Sequence, residues 1–210
     1  MSEGLVVKTM EQYMAEGKQP EILFWVGSAG SYDDRAKKIS RAFARILNKA
    51  NVEFAVLGAE ESNTGDVAKR AGNEFLFQMQ AMMNIEVLNG YEIKRIVTCD
   101  PHSFNTLKNE YPSLGGNYDV VHHTEYIKEL LDSGRLSLEG ETYKAKRITF
   151  HDPCYLGRAN SVFDAPREVL KKTNASLVEM KRHRKTALCC GAGGAQMFKE
   201  PEKGDMDIYI

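Results

Sequence analysis

One spacing occurs twice in this sequence, and it limits the folds open to the chain more than any other feature. The apolar run Ile22-Leu23-Phe24-Trp25-Val26 ends at Gly27-Ser28, and 35 positions after Ser28 comes Asn63, behind a second run, Phe54-Ala55-Val56-Leu57-Gly58. The run from Arg147 to Phe150 leads to Cys154, and 35 positions later comes Cys189, behind the run from Ser176 to Met180. A short apolar run bounded by turn residues reads as a strand buried on both faces. Between the first two runs, Ile39, Ala42, Phe43, Ile46, Leu47 and Ala50 share one face of a helix. Between the second two, Pro166 stands where a helix begins. Strands alternating with helices imply an α/β fold with mainly parallel sheets, here built as two repeated strand-helix halves.

The remaining segments extend the first half. The stretch from Val67 to Leu88 reads as one long Met-rich helix closed at Asn89-Gly90. Strands are expected at Arg95 to Thr98 and Asp119 to Val121, with a short helix between them from Ser103 to Glu110 that stops before Pro112. Thr124 is placed to cap a helix burying Ile127, Leu130 and Leu131, which ends at Gly134. Residues 1–20 form an N-terminal helix or arm, residues 21–140 the first half and residues 141–210 the second, with a polar seam at 134–146.

Composition excludes several classes. A 210-residue chain with 42% hydrophobic residues buries a sizeable core. Its net charge of −1 gives no basic footprint for nucleic acid, and no apolar run reaches the length of a membrane span. The start, Met1-Ser2-Glu3, lacks the basic opening of a secretory signal, so the four cysteines read as reduced thiols of a cytoplasmic protein.

Three of those cysteines carry the chemistry. Cys189 and Cys190 are adjacent, and neighbouring Cα atoms about 3.8 Å apart are too close for an unstrained disulfide, which wants roughly 4.4 to 6.8 Å. Two thiolates side by side call for a cation between them, which points to soft-metal or iron-sulfur ligation. Gly191, Gly193 and Gly194 follow at once, letting backbone approach a bulky centre and turn N–H groups toward sulfur.

At these residues the sequence resembles the CCG, or cysteine-rich, domain family, which includes the B subunit of heterodisulfide reductase and the iron-sulfur subunits of glycolate oxidase and of the lactate-utilisation system. The family motif runs Cys, about 31 to 38 residues, Cys-Cys-Gly, and then a distant Cys-x-x-Cys. Cys154, Cys189 and Cys190 match its first three thiols. The resemblance implies an iron-sulfur cluster of 4Fe-4S type held by these three, with Gly191, Gly193 and Gly194 as donors around it. It also implies a non-catalytic, electron-transferring role beside a flavin- or cluster-bearing oxidoreductase subunit that oxidises a 2-hydroxy acid or reduces a disulfide.

The first half departs from that pattern. Ser28, Asn63, Asp100 and Ser103 stand where the family has its first set of thiols, and Cys99 reads as a packed residue at a strand end. That half is expected to hold no cluster. Carried onto the second half, the same frame puts the last Cys-x-x-Cys beyond Ile210, so the second half is expected to be incomplete, lacking a strand, a helix and two ligands. Lys181, Arg182, Arg184 and Lys185 would offset cluster charge or form a solvated face, and His183 among them is a candidate fourth ligand. His151 and Asp152 are expected to pair and fix the loop before Cys154. Two alternatives remain: a structural zinc site made by the three cysteines and a histidine, and an interaction module that keeps only the fold.

Overall fold

Successive side chains of the run at residues 22–25 point to opposite faces of a sheet, and all four are buried, so this strand must be covered on both sides. The computed structural model, which describes residues 5–138, 140, 143–196 and 200, builds the protein around it. Strands β1 (Lys8–Thr9), β2 (Ile22–Trp25), β3 (Phe54–Val56), β4 (Arg95–Thr98) and β5 (Asp119–His122) form one parallel sheet in the order β1-β3-β2-β4-β5. Leu23 lies beside both Ala55 and Ile96, and Thr98 beside His122.

The helices are α1 (Met10–Ala15), α2 (Gly27–Tyr32), α3 (Asp34–Lys49), α4 (Asp66–Arg70), α5 (Glu74–Gly90), α6 (Pro101–Asn105), α7 (His123–Asp132) and α8 (Asp164–Lys172). Ile22 and Phe24 meet Phe43 and Leu47 of α3 and Tyr126 and Leu130 of α7 on one face. Leu23 and Trp25 meet Met10 of α1, Phe77, Ala81 and Leu88 of α5, and Phe104 of α6 on the other. A second parallel pair, β6 (Arg147–Ile148) and β7 (Ser176–Leu177), joins Arg147 to Ser176 and Ile148 to Leu177, with α8 as the crossover between them.

The chain order creates a crevice. From β2 the chain crosses to β3 on one side, and then returns past β2 to β4 on the other. Loops leaving the carboxyl ends of β2 and β4 therefore diverge, and ligands of open α/β sheets sit at such a point.

The α/β class and the parallel sheet agree with the sequence expectation, while several elements differ. The N-terminal arm adds a strand, β1, on the outer side of β3 before its helix, with Lys8 beside Ala55. Its short polar Lys8-Thr9 run gives no apolar signal. The single helix expected from Val67 to Leu88 is two helices, broken where Gly72 takes φ +85° and Asn73 caps α5 through the Leu76 N–H. Ile39, assigned to the buried face of α3, is 48% exposed. Helix α7 starts one residue before Thr124, with His122 as its cap residue, and Thr124 Oγ1 lies 2.8 Å from His122 Nδ1. Helix α8 starts at Asp164, so Pro166 occupies its third position. The helix expected from Ser103 to Glu110 is the end of α6 followed by a wider π turn over Thr106–Glu110. The missing strand and ligands expected in the second half concern residues 197–199 and 201–210 and beyond, outside the described residues.

Candidate functional site

Cys154 lies in a run of turns after β6, and a buried ion pair fixes that run. Arg167 of α8 donates to Asp152 through Nη1 at 2.7 Å and Nη2 at 2.8 Å, and also to Glu179 through Nε at 2.6 Å. Both Asp152 and Arg167 are almost wholly buried. The Asp152 carboxylate also accepts the Arg184 backbone N–H at 2.5 Å. Burial alone would push the Asp152 carboxyl up, but the hydrogen bonds from Arg167 and Arg184 outweigh it and hold it below its ordinary value. One carboxylate two residues before Cys154 thus ties down the segment that leads into Cys189. The expected His151–Asp152 pair does not form: His151 is exposed, and the guanidinium, a bidentate donor, takes the carboxylate instead.

That clamp brings two thiols together. Cys154 and Cys189 lie close enough for each sulfur to shift the titration of the other, and all four cysteines are free. Burial pushes the Cys154 thiol up, and the neighbouring Cys189 sulfur pushes it further. The Cys189 thiol is lowered, first by the Gly191 N–H 3.5 Å from its sulfur, which outweighs its partial burial. The positive charge of Arg158 lowers both. Four residues past Cys154 and outside the 181–185 run, it gave no sequence signal. Of that run, Arg184 is bound to Asp164 at 2.6 Å, and His183 holds Nδ1 2.8 Å from the Met180 carbonyl, a contact that uses one of its two ring nitrogens.

The glycines are needed for different reasons. Gly191 and Gly194 take φ of +75° and +66°. Gly193 packs against a ring: a Cβ there would lie 2.8 Å from Cε1 of His102. Cys189 and Cys190 are exposed at the surface of this loop. Among the described residues, no three His, Cys, Asp or Glu side chains converge as a ligand set for one metal ion. Three free thiols, an N–H 3.5 Å from one sulfur and three glycines in the loop beside them are chemistry that fits a thiolate-held iron-sulfur group.

The thiol-free frame of the first half closes on the same place. Ser28, Asn63, Asp100 and Ser103 all line one cavity of about 370 Å³, together with Cys190, Gly193 and Gly194. It opens at the divergence of the β2 and β4 loops. Asn63 donates to Ser28 Oγ at 3.1 Å and accepts from the Gly65 N–H at 2.8 Å, while Asp100 accepts the Ser103 hydroxyl at 2.7 Å and the N–H groups of His102 and Ser103. Cys99 packs against the core, and its thiol is pushed up to about 12 by burial, as expected for an inert residue.

Two features here carried no sequence signal. His102 Nδ1 lies 2.8 Å from Asp66 Oδ2, and Asp66 also accepts from Arg70 Nε. Burial acts to lower His102, but the Asp66 carboxylate outweighs it and raises it. Glu61 accepts the backbone N–H groups of Val26 and Gly27 at 2.9 and 2.6 Å, and burial raises its carboxyl to about 7 against those two bonds. Partners 35 positions apart in sequence leave no local pattern to read.

Comparison with known proteins bears on this arrangement. The family model described as "Cysteine-rich domain" matches residues 22–108 and 148–207. The chain is 50% identical over 200 residues to a probable iron-sulfur-binding oxidoreductase, FadF, of Bacillus subtilis, covering 95% of this chain and 28% of that one. It is 44% identical over 187 residues to the EtfAB:quinone oxidoreductase of Syntrophomonas wolfei, covering 89% and 26%. It is 33% identical over 189 residues to one of the subunits of the dihydromethanophenazine:CoB–CoM heterodisulfide reductase of Methanosarcina barkeri, covering 87% and 45%. The chain thus spans about a quarter of the length of the first two relatives, and no solved structure matches it. No helix among the described residues is long and apolar enough to cross a membrane. The paired 35-residue frames, the vicinal thiols and the match over both halves agree: the chain belongs to the cysteine-rich, or CCG, domain family.

Proposed function

We propose that this chain is the cluster-holding part of an electron-transferring oxidoreductase, with Cys154, Cys189 and Cys190 as thiolate ligands of a 4Fe-4S-type centre. The observation that carries the reading is the approach of Cys154 and Cys189 from segments 35 positions apart, clamped by Asp152 to both sides. When bound, such a centre supplies one-electron redox chemistry that no side chain offers. The chain's own residues bind and tune it. Gly191 directs an N–H at Cys189, Arg158 sets a positive charge beside the thiolates, and Asp152 with Arg167 orders the loops.

Relatives named as an EtfAB:quinone oxidoreductase and a heterodisulfide reductase subunit support a redox partner and a disulfide as a distal substrate, while a flavin- or cluster-bearing partner and a 2-hydroxy acid substrate rest on the family resemblance. Helix α5 exposes Phe75, Met79, Met82 and Met83, an apolar face that supports contact with another protein surface. The free state of all four cysteines supports a reducing, cytoplasmic setting. The zinc reading is weaker, because among the described residues no three His, Cys, Asp or Glu side chains converge on a single ion. Anaerobic reconstitution followed by iron, sulfide and zinc analysis tests the reading. Iron and sulfide with visible absorbance are expected, and zinc alone without absorbance would overturn it.

A further inference from the structure

His102 stands where both thiol segments meet the first half. Its ring packs edge-to-face with Tyr155, the residue after Cys154, with centroids 4.5 Å apart. Its Cε1–Nε2 edge lies toward the loop after Cys190, since a Cβ added at Gly193 would sit 2.8 Å from Cε1 and 3.4 Å from Nε2. Cys190, Gly193 and Gly194 share with it the wall of the 370 Å³ cavity. The His102 side chain is 30% exposed, so the ring is open to a ligand rather than sealed in the core.

Hydrogen bonding selects which ring nitrogen is available. Burial acts to raise the Asp66 carboxyl, but the bonds from His102 and Arg70 outweigh it and keep it ionised. A carboxylate only accepts, so Nδ1, 2.8 Å from Asp66 Oδ2, carries the hydrogen. Nε2 is then the lone-pair nitrogen of the neutral ring, and it has no hydrogen bond to any described residue. Metal-bound histidines ordinarily give their other N–H to a carboxylate in this way, which fixes the tautomer and makes the ring a stronger donor. Asp66 is itself held by Arg70 Nε at 3.2 Å and Thr106 Oγ1 at 3.4 Å. Of the other histidines, His122 and His123 pack against Phe104 and Phe43, and neither His151 nor His183 lines the cavity.

The thiols leave room for such a donor. A 4Fe-4S centre takes four protein ligands, and of the four cysteines in the sequence Cys99 is packed against the core. The ligands of a cluster bind different iron atoms, so they need not meet at one point as those of a single ion do. We infer, resting on the cluster-holding function proposed above, that His102 is the nitrogen ligand that joins Cys154, Cys189 and Cys190 around the centre, with Asp66 as its positioning residue. The half without a thiol set of its own thus gives its histidine to the other. Charge favours imidazole here: Asp66 and Asp100 border the cavity and Arg70 offsets the first, so a fourth thiolate would add an anion that a neutral ring does not.

Pulsed electron paramagnetic resonance of the full chain, reconstituted anaerobically and reduced with dithionite, tests the assignment. Protein grown with histidine labelled in heavy nitrogen should show a nitrogen coupling that changes with the label. His183→Ala should keep that coupling, whereas His102→Cys should keep the iron, lose the coupling and lower the midpoint potential, because imidazole in place of thiolate raises it. His102→Ala should weaken retention of iron against a chelator by at least about tenfold, the scale on which loss of an outer partner alone weakens a metal site. Iron bound without a histidine-dependent coupling, or a coupling lost in His183→Ala and kept in His102→Cys, would overturn the ligand and leave the cluster-holding function standing. Those spectra of the wild-type chain decide the matter even if His102→Ala fails to fold. Wild-type protein that takes up no iron would overturn that function, and this ligand with it.

Discussion

The two copies of the 35-residue frame reach the same kind of place by different means. In the first, the loop ends behind β2, β3 and β4 are closed by side-chain hydrogen bonds: Asn63 to Ser28 and Gly65, and Asp100 to Ser103 and two backbone N–H groups. In the second, the corresponding loops end in thiols that are half-buried or exposed, with one N–H contact at 3.5 Å and no regular structure from Ala187 to Cys190. The difference shows that strand packing sets the frame, while the residues grafted on it decide whether the loops complete themselves or wait for a ligand. A polar set satisfies its own donors, whereas adjacent thiols lack the geometry to do so.

The largest test of this contrast is all-or-none. In anaerobically reconstituted protein, the double substitution Cys154→Ser with Cys189→Ser should abolish bound iron, whereas Cys99→Ala, in the thiol-free half, should leave it at the wild-type level. Iron retained in the double variant, or lost with Cys99→Ala, would show that the two halves have been assigned the wrong way round.

A second test addresses what holds the open half together. Arg167→Met leaves Asp152 buried without its partner, and breaking a buried ion pair from one side costs about 3 to 5 kcal/mol. The loss should be local. Hydrogen exchange should show amides of residues 147–190 deprotected, with those of β2, β4 and β5 retained. Uniform loss across both sheets would mean that the halves unfold as one cooperative unit.

A third test lies in the closed half and depends on pH. Glu61 has a folded value of about 7, above the ordinary value of 4.5 for the free residue, so the folded state binds the extra proton between those limits. Its contribution to stability is full below pH 4.5, falls as pH rises through about 7, and is then constant. Glu61→Gln, which keeps an acceptor for one of the Val26 and Gly27 N–H groups and loses the other, should lower stability at all pH values and remove this decline, worth on the order of 1 to 3 kcal/mol. Urea midpoints of the two proteins between about pH 5 and about 8 give the comparison. Parallel curves would place Glu61 in water.

The sequence disclosed what depends on local periodicity and hid what depends on distant pairing. The strands at Ile22, Phe54, Arg95 and Asp119 and the helix over Asp34–Lys49 were legible because their apolar spacing follows one period. The convergence of Cys154 with Cys189 was legible through the repeat. Strand β1 was not, because two polar residues carry no alternation and pair only because β3 has an open side. Nor was the Asp152–Arg167 clamp, since a guanidinium on α8 is one among many basic residues until burial singles it out. The break between α4 and α5 was within reach: Gly72-Asn73 is a stop followed by a cap, but the flanking Met-rich run masked it.

The smallest expected effect makes the sharpest comparison, because it sets equivalent positions of the two frames side by side. Asn63→Ala removes the acceptor of the Gly65 N–H and the donor to Ser28, at a turn where Gly65 takes φ +85°. Its backbone carbonyl still receives Asn84 Nδ2 at 3.0 Å, so the loop keeps one tie to α5. The net loss should be about 1 kcal/mol, the usual value of one intramolecular hydrogen bond between neutral groups. Cys189→Ala, at the matching place in the second frame, removes an exposed thiol with one long contact, and in metal-free protein it should change stability by less than about 0.5 kcal/mol. Urea unfolding of both variants under reducing, metal-free conditions measures the pair. Once reconstituted, the order should reverse: Asn63→Ala keeps its small deficit, whereas Cys189→Ala forfeits the stabilisation that a ligand bound only to the folded state provides. If Cys189→Ala is instead the costlier change without metal, the second frame is already closed by its own contacts, and the contrast between a self-satisfied half and a ligand-dependent half does not hold.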